Sequence, residues 1–402
     1  MAKIREKLRK PGIAAFYAAF ILIMFVDYVS ATSIHVIYSG RMFQLAIILL
    51  MCKAFVTEYT KKEYMMLIFS LIIGAVSFLH VHNYFACLIF LLIFAGKDIP
   101  FKKAIAAYLI FVGICIAVTV SAACLGIYGE MSMIQDFRDM GVVEARYCFG
   151  FKHPNACHIV LLQFALGLIW YFWEQIKWFH ILTVILLNGI LFIFTDSRTN
   201  MLLGAVLLAV MLLGKIWTKI QSLKLTYGLG IIALASSLLL SLATVMQHDP
   251  NNMSMLMRFI DKIWSGRIYW GSYWANFCTD YTDANGAIIV PREKISLFSH
   301  INSQISIDMG FIKLYYNYGI IIFIMVIALI LIKLYRNVRS KDFAELMIIV
   351  SGIVWMLGEA FSFGEFITRN ILFVFMLDLL QRQETQRENV DGNISTQVVE
   401  GP

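Results

Sequence analysis

The chain has 402 residues, of which 60% are hydrophobic and 15% are charged. Soluble globular domains carry about 25% charged residues, so this composition excludes an ordinary soluble protein, and its apolar content excludes intrinsic disorder. The formal net charge is +7, from 33 Lys and Arg against 26 Asp and Glu. The basic excess lies in short connections between apolar runs, which is a signal of membrane orientation, so no nucleic-acid partner is expected.

Apolar runs that approach the roughly 20 residues needed to cross a bilayer recur along the chain. They predict an all-α polytopic membrane protein with about 12 transmembrane helices, near 13–29, 36–56, 64–79, 81–95, 104–125, 156–173, 178–195, 199–217, 225–246, 307–332, 343–358 and 363–380. The third and fourth runs, and the seventh and eighth, are so close that each pair predicts a tight helical hairpin.

The basic start, Met1 to Lys10, leads directly into the first apolar run and predicts an uncleaved membrane anchor with a cytoplasmic N-terminus. With twelve spans, the C-terminus is cytoplasmic too, and the Lys/Arg-rich connections all fall on the cytoplasmic side. Residues 1–380 then form a single transmembrane domain. Its two large external connections are 126–155 and 247–306, the second between spans nine and ten. The polar tail 381–402 is predicted to be disordered.

The first external connection ends in Arg146-Tyr-Cys-Phe-Gly-Phe-Lys-His-Pro-Asn155. His-Pro-Asn just before a span predicts a turn, with Asn155 near the N-cap of the next helix. Arg146 and His153 beside that helix start form a candidate anion site, because the free N–H groups of a helix N-terminus favour negative charge. The alternative interpretation is a polar loop that ends where a helix begins.

A short polar turn, Thr195–Asn200, separates two apolar helices and contains Arg198. A guanidinium at the membrane face costs several kcal/mol unless it is paired or hydrated. Asp196, or a lipid phosphate reached by snorkelling, would satisfy it without any function. The functional interpretation is that Arg198 binds a lipid-borne phosphate.

The second external connection opens with a predicted helix, Asn252 to Phe277, which has an aromatic face and a basic side. This pattern is typical of an amphipathic helix in the membrane interface. An aromatic belt explains it without further function. The functional interpretation is a lid in which Arg267, within Ser265-Gly-Arg267, binds a phosphate.

The same connection ends with His300 and Asp308 just before the tenth span. A histidine near its ordinary pKa is suited to general-base chemistry, which makes His300 the first candidate base and Asp308 the second. The alternatives are a polar cap at the water interface and charge neutralisation of Asp308 by Lys313. The histidines lack the spacing and acidic neighbours of a metal site, so neither a metal nor another cofactor is expected.

The order of these motifs resembles the O-antigen polymerase and O-antigen ligase-like family, which includes the Wzy-type capsular repeat polymerases. The resemblance covers roughly residues 60–380. Its elements are the large connection before the tenth span, Arg146 to Asn155, Ser197-Arg198 opening a span, Ser265-Gly-Arg267, and His300 to Asp308 leading to Tyr318-Gly319. It implies a GT-C-like fold in a bacterial plasma membrane and a metal-independent glycosyltransferase that uses undecaprenyl diphosphate-linked donors.

This resemblance leads to the hypothesis of a polymerase that joins lipid-linked oligosaccharide repeat units into a surface or capsular polysaccharide. Arg146, Arg198 and Arg267 would bind the diphosphate, and His300 or Asp308 would activate the acceptor hydroxyl. His153, Asn155 and Asn302 would add substrate contacts. Expected partners are membrane lipid, a flippase and a chain-length regulator.

Two other functions remain as alternatives. Ligases of this family carry a Gly-x-Gly before a His-Asn pair, whereas His300-Ile-Asn302 has none before it, which favours the polymerase over a ligase that transfers finished glycan. A lipid-linked sugar flippase would place charges within its spans, and the apolar runs contain few.

Overall fold

The computed structural model describes residues 2–34, 37–135, 143–247, 250–264, 266–276, 297–299, 309–359 and 367–381. Its helices are α1 (Ala2–Ser30), α2 (Ser39–Val56), α3 (Lys61–Val81), α4 (Phe85–Ala95), α5 (Phe101–Cys124), α6 (Pro154–Tyr171), α7 (Trp178–Thr195), α8 (Arg198–Ile216), α9 (Lys219–Ser222), α10 (Lys224–Met246), α11 (Met255–Ile263), α12 (Arg267–Asn276), α13 (Gly310–Ser340), α14 (Phe343–Gly358) and α15 (Leu372–Phe375). Two short strands, β1 (Ser132–Gln135) and β2 (Glu144–Tyr147), pair in antiparallel register.

Within the described residues, nine helices are long and apolar enough to cross a membrane, so the chain is an all-α polytopic membrane protein. α4 and α14 are apolar but shorter. The 11 residues of α4 rise only ~16 Å, about half of a bilayer core. Both helices are apolar all round and buried among their neighbours, as a helix without a polar face must be.

The two predicted hairpins, α3–α4 and α7–α8, are confirmed. His82, the residue after α3, has a φ of 56° that reverses the chain before α4. α7 ends at Asp196, whose φ of 45° does the same before α8. Positive φ is costly for most L-residues, and Asp is among the few polar residues that adopt it.

The prediction of a last continuous span at 363–380 is wrong for the part that the structure describes. There α15 has only four residues and is followed by a 3-10 turn, Met376–Asp378. The segment begins beside α1, where Thr368 N donates to Asp27 Oδ2 at 2.6 Å, and ends where Gln381 Nε2 donates to Ile99 O at 2.5 Å. Irregular backbone at this depth is tolerated because it is enclosed by protein.

Buried ion pairs correct the expectation that the spans carry almost no charge. Arg369 pairs with Asp27 of α1 at 2.8 Å. Lys333 of α13 pairs with Asp378 at 2.6 Å and also with Glu345 of α14. These pairs join the last segment to helices far away in sequence, so each charge is neutralised inside the bundle.

We call the loop end of the bundle the end where α5, α7 and α14 finish and α6 and α8 begin. The strand pair β1–β2 covers this end. The segment that contains both strands was predicted only as part of an external loop. The helix predicted at Asn252–Phe277 is in fact two helices, α11 and α12, separated by Gly266 with a φ of 80°. The functional candidates that the structure describes all lie at this loop end.

α13 is kinked at Gly319, whose φ of 85° and ψ of 172° are not helical. Residues 297–299 fill the kink, and Leu297 O accepts a hydrogen bond from Ile321 N at 3.2 Å. A Cβ at Gly319 would lie 2.6 Å from Ser299 N. Only glycine therefore provides both the backbone angle and the space.

Candidate functional site

Arg146 connects the strand pair to the α7–α8 turn. It lies on β2, and Glu144, two residues earlier, shares its face because strand side chains alternate. Arg146 Nη2 is 2.8 Å from Glu144 Oε2 and 3.1 Å from Asp196 Oδ2. The Arg146 side chain is only 9% exposed, so this guanidinium is a buried partner of two carboxylates.

Arg198, the first residue of α8, shares the same carboxylate. Its Nε is 3.6 Å from Asp196 Oδ1, beyond hydrogen-bonding distance, and its side chain is 59% exposed. An exposed pair of this length contributes little to stability. Arg198 is therefore the arginine in this cluster that is accessible to a ligand from solvent.

Arg267, the first residue of α12, reaches the same turn from another direction. Its Nη2 donates to Glu359 Oε1 at 2.8 Å and its Nη1 donates to Thr199 Oγ1 at 2.9 Å. Both partners of the Arg267–Glu359 pair are less than a tenth exposed. Because Thr199 adjoins Arg198, the three predicted arginines converge on residues 196–199.

Two N–H donors in this cluster have no acceptor among the described residues. They are Nε of Arg267 and Nε1 of Trp264, at the end of α11. Trp264 Nε1 is close to the end of α14, since a Cβ at Gly358 would lie 3.1 Å from it. Arg267 reaches the same place, because it donates to Glu359 and to Thr199, whose Cγ2 would lie 3.2 Å from that Cβ. Buried donors are nearly always satisfied, so this pair indicates a place for a ligand oxygen or a water.

Asn200 joins the three helices beneath the turn. Its Oδ1 accepts from Trp355 Nε1 of α14 at 2.7 Å, and its Nδ2 donates to Asn155 O of α6 at 3.3 Å. Asn200 is fully buried. These bonds fix the start of α8, and hence Arg198, relative to α6 and α14.

His153 and Asn155 lie at the start of α6, as predicted, and the structure adds which residue caps the helix. The N-cap of α6 is His153, whose Nδ1 accepts from Asn155 N at 3.1 Å, and Pro154 is the first helical residue. Asn155 is thus inside the first turn of the helix. In this arrangement Nδ1 of His153 is occupied as a cap acceptor.

His300, Asn302 and Asp308 lie outside the described residues, as does Ser265. The candidate base is therefore still a prediction. Among the residues that the structure describes, no group of three or more His, Cys, Asp and Glu side chains is arranged to hold a metal ion.

Sequence reasoning missed three contributors to this cluster: Glu359, Thr199 and Trp264. Glu359 had a usable signal, because an acidic residue directly after an apolar run requires a partner. Thr199 and Trp264 had none, since their roles depend on contacts between helices distant in sequence.

Among the described residues, Arg146 pairs with Glu144 and Asp196, Arg198 lies near Asp196, and Arg267 pairs with Glu359. Arg146 and Arg267 already hold carboxylates, so the structure separates their roles from that of Arg198.

The chain matches no protein-family model, no curated protein and no solved structure. The resemblance described from its motifs therefore depends on their order and spacing alone.

Proposed function

We propose that this chain is a membrane glycosyltransferase that polymerises undecaprenyl diphosphate-linked repeat units into a surface polysaccharide. The observation that carries the proposal is the convergence of three arginines on the α7–α8 turn, with one of them, Arg198, exposed at the head of a membrane helix. The motif order that resembles the polymerase family gives the reaction class.

A polyprenyl diphosphate leaving group needs stabilisation of its developing negative charge. A guanidinium is permanently charged and binds phosphate oxygens in bidentate fashion, so it supplies this stabilisation without a proton transfer. Arg198 is the first residue of α8, where the free N–H groups and helix dipole add to the same effect. A diphosphate bound here would lie at the membrane boundary, with its hydrocarbon chain among the helices.

Arg146 and Arg267 support this role indirectly. Arg146 neutralises Asp196, which would otherwise attract Arg198 and repel a diphosphate. Arg267 neutralises Glu359 and donates to Thr199 next to Arg198. Both therefore position the turn and remove opposing charge.

The acceptor is a sugar hydroxyl, whose proton must leave as the glycosidic bond forms. His300 is the proposed base and Asp308 the second candidate. The leaving diphosphate supplies the driving force. We propose that the loop end faces the outside of a bacterial plasma membrane, with both chain termini in the cytoplasm.

The test is incubation of the purified protein with a synthetic undecaprenyl diphosphate-linked repeat unit and a chelator. We expect a ladder of products of increasing length, lost in Arg198→Ala and retained in Arg339→Ala. Arg339 is an exposed arginine near the end of α13, at the opposite end of the bundle, and is a matched control. Absence of a ladder from the wild-type protein would overturn the polymerase proposal.

The same material separates the alternatives. A ligase would transfer the glycan once, and only when an acceptor lipid or wall fragment is added. A flippase would move the lipid-linked sugar across sealed vesicles without forming a new glycosidic bond.

A further inference from the structure

A groove runs between α10 and α13, both of which are long and apolar enough to cross a membrane. It encloses a cavity of about 330 Å³, lined by Leu238, Ser241, Leu242 and Val245 of α10 and by Phe311 and Tyr315 of α13. The α10 residues that line it extend over about 10 Å of helix. Leu239 and Leu242 are 66% and 55% exposed, so this face of α10 is directed outward from the bundle. The lining suits a hydrocarbon chain.

One end of the groove adjoins the cluster around Arg267. Val245 and Tyr315, which line the groove, also pack with Trp264 around a small apolar cluster that includes Ile312 and Leu357. At the same place Gly310 N donates to Glu359 O at 3.1 Å, which brings the start of α13 to the partner of Arg267. The apolar groove is thus continuous with the cluster that contains the unfilled N–H donors.

These donors give the groove a polar end of defined chemistry. Arg267 is less than a tenth exposed, and its Nε has no acceptor among the described residues. Nε1 of Trp264 is likewise buried without one. A phosphate can offer an oxygen to each of these donors, and an aliphatic chain attached to that phosphate would continue into the groove.

We infer that this groove binds the isoprenoid chain of a polyprenyl diphosphate, with Trp264 Nε1 and Arg267 Nε donating to the phosphate nearest the chain. The inference rests on the proposed function for the identity of the lipid. It adds the place where the lipid chain is held, a donor at Trp264 that the reaction chemistry did not assign, and the atom of Arg267 that contacts the phosphate.

The test is photolabelling in lipid nanodiscs with a diazirine-bearing polyprenyl diphosphate, followed by mass spectrometry of the labelled peptides. We expect labels on α10 and α13, displaced by unlabelled polyprenyl diphosphate but not by phosphatidylglycerol. Leu242→Trp should fill the groove and lower labelling about tenfold. This is the loss of affinity expected when about two methylene groups of the lipid chain are no longer buried. Leu239→Trp, on the same outward face but outside the lining, is the matched control and should label normally.

A second variant tests the polar end without filling the groove. Trp264→Phe keeps the ring and removes its N–H, so it should weaken polyprenyl diphosphate binding about tenfold and leave polyprenol binding unchanged. Equal losses for both lipids would overturn the assigned role of Trp264. Labelling elsewhere, or equal displacement by phosphatidylglycerol, would overturn the groove.

Photolabelling does not require catalytic turnover, so the lipid groove and the polymerase activity can be rejected independently of each other. A product ladder with labels outside α10 and α13 would reject the groove and leave the polymerase. Labels in the groove without a ladder would keep the lipid site and reject the polymerase.

Discussion

Arg146, Arg198 and Arg267 carry the same charge but differ in how much of it is already neutralised. The sequence placed all three in polar segments beside apolar runs and gave them one shared role. Their burial and their partners separate them, because Arg146 and Arg267 are buried and already paired with carboxylates, whereas Arg198 is largely exposed. Contacts between distant segments determine this difference, so motif spacing alone could not reveal it.

Arg198→Ala should lower the polymerisation rate about 100–1000-fold, the usual cost of removing a preorganised charge-stabilising group. Its side chain is 59% exposed, so thermal stability should stay close to that of the wild type. Arg198→Lys should recover only part of the rate, since lysine lacks the bidentate geometry. The measurements are product ladders and melting curves on the same samples, and a full rate in Arg198→Ala would contradict this role.

Arg267→Ala should mainly destabilise the protein. It leaves Glu359 buried without its 2.8 Å partner, at a cost of about 3–5 kcal/mol. Replacing both partners, in Arg267→Met with Glu359→Leu, should regain most of the melting temperature. That double variant should still bind polyprenyl diphosphate poorly, because the donor is gone. An unchanged melting temperature in Arg267→Ala would show that the pair contributes nothing to stability.

Asp342 gives a pH-dependent prediction at the start of α14, where its side chain accepts from Glu345 N at 2.9 Å. Burial, followed by the neighbouring Glu345 carboxylate, raises the pKa of Asp342 to about 6. The folded state then retains a proton that the unfolded state releases near pH ~4, so stability falls as pH rises from about 4 to 6.

Asp342→Asn keeps a good N-cap and removes this titration. We therefore expect equal melting temperatures for variant and wild type at about pH 4, and a higher one for the variant above about pH 6. Melting curves in detergent across this range are the measurement. Parallel pH profiles for the two proteins would contradict the raised pKa.

At the scale of elements, apolar length predicted the helices well, because a membrane helix must satisfy its own backbone hydrogen bonds. The predicted elements were wrong where contacts between distant segments, and not hydropathy, determine the local structure. The strand pair β1–β2 is held over the α7–α8 turn by Arg146, and the last segment is irregular because protein encloses it. A hydropathy pattern contains neither of these facts.

The kink in α13 depends on Gly319. Gly319→Ala should lower the melting temperature and the yield of folded protein, since a Cβ would meet the backbone of Ser299 at 2.6 Å and the φ of 85° is strained for alanine. Gly189→Ala in α7 is the control, because nothing lies within 4 Å of its Cβ. That variant should be neutral or slightly stabilised by alanine's better helix propensity. Equal melting temperatures and yields for the two variants would show that the kink at Gly319 and its contact with residues 297–299 contribute nothing to folding.

Among the described residues, ion pairs hold the bundle together at both of its ends. The arginine cluster occupies the loop end, and Lys333 with Glu345 and Asp378 holds the opposite end together. The last described segment passes from beside Asp27 to beside Ile99. Sequence patterns therefore predicted the class of fold, an all-α membrane protein. They could not give the pairs, whose partners lie up to 342 residues apart.

If this loop end recognises a lipid diphosphate through Arg198, equilibrium binding to the purified protein will detect that recognition without any turnover. Undecaprenyl diphosphate should bind wild type and Arg339→Ala at least about tenfold more tightly than undecaprenyl monophosphate, as a further charge-assisted hydrogen bond implies. Arg198→Ala should bind both lipids with the same weak affinity. Equal affinity of the wild-type protein for the two lipids, or a preference for the diphosphate that survives in Arg198→Ala, would show that Arg198 does not recognise the diphosphate.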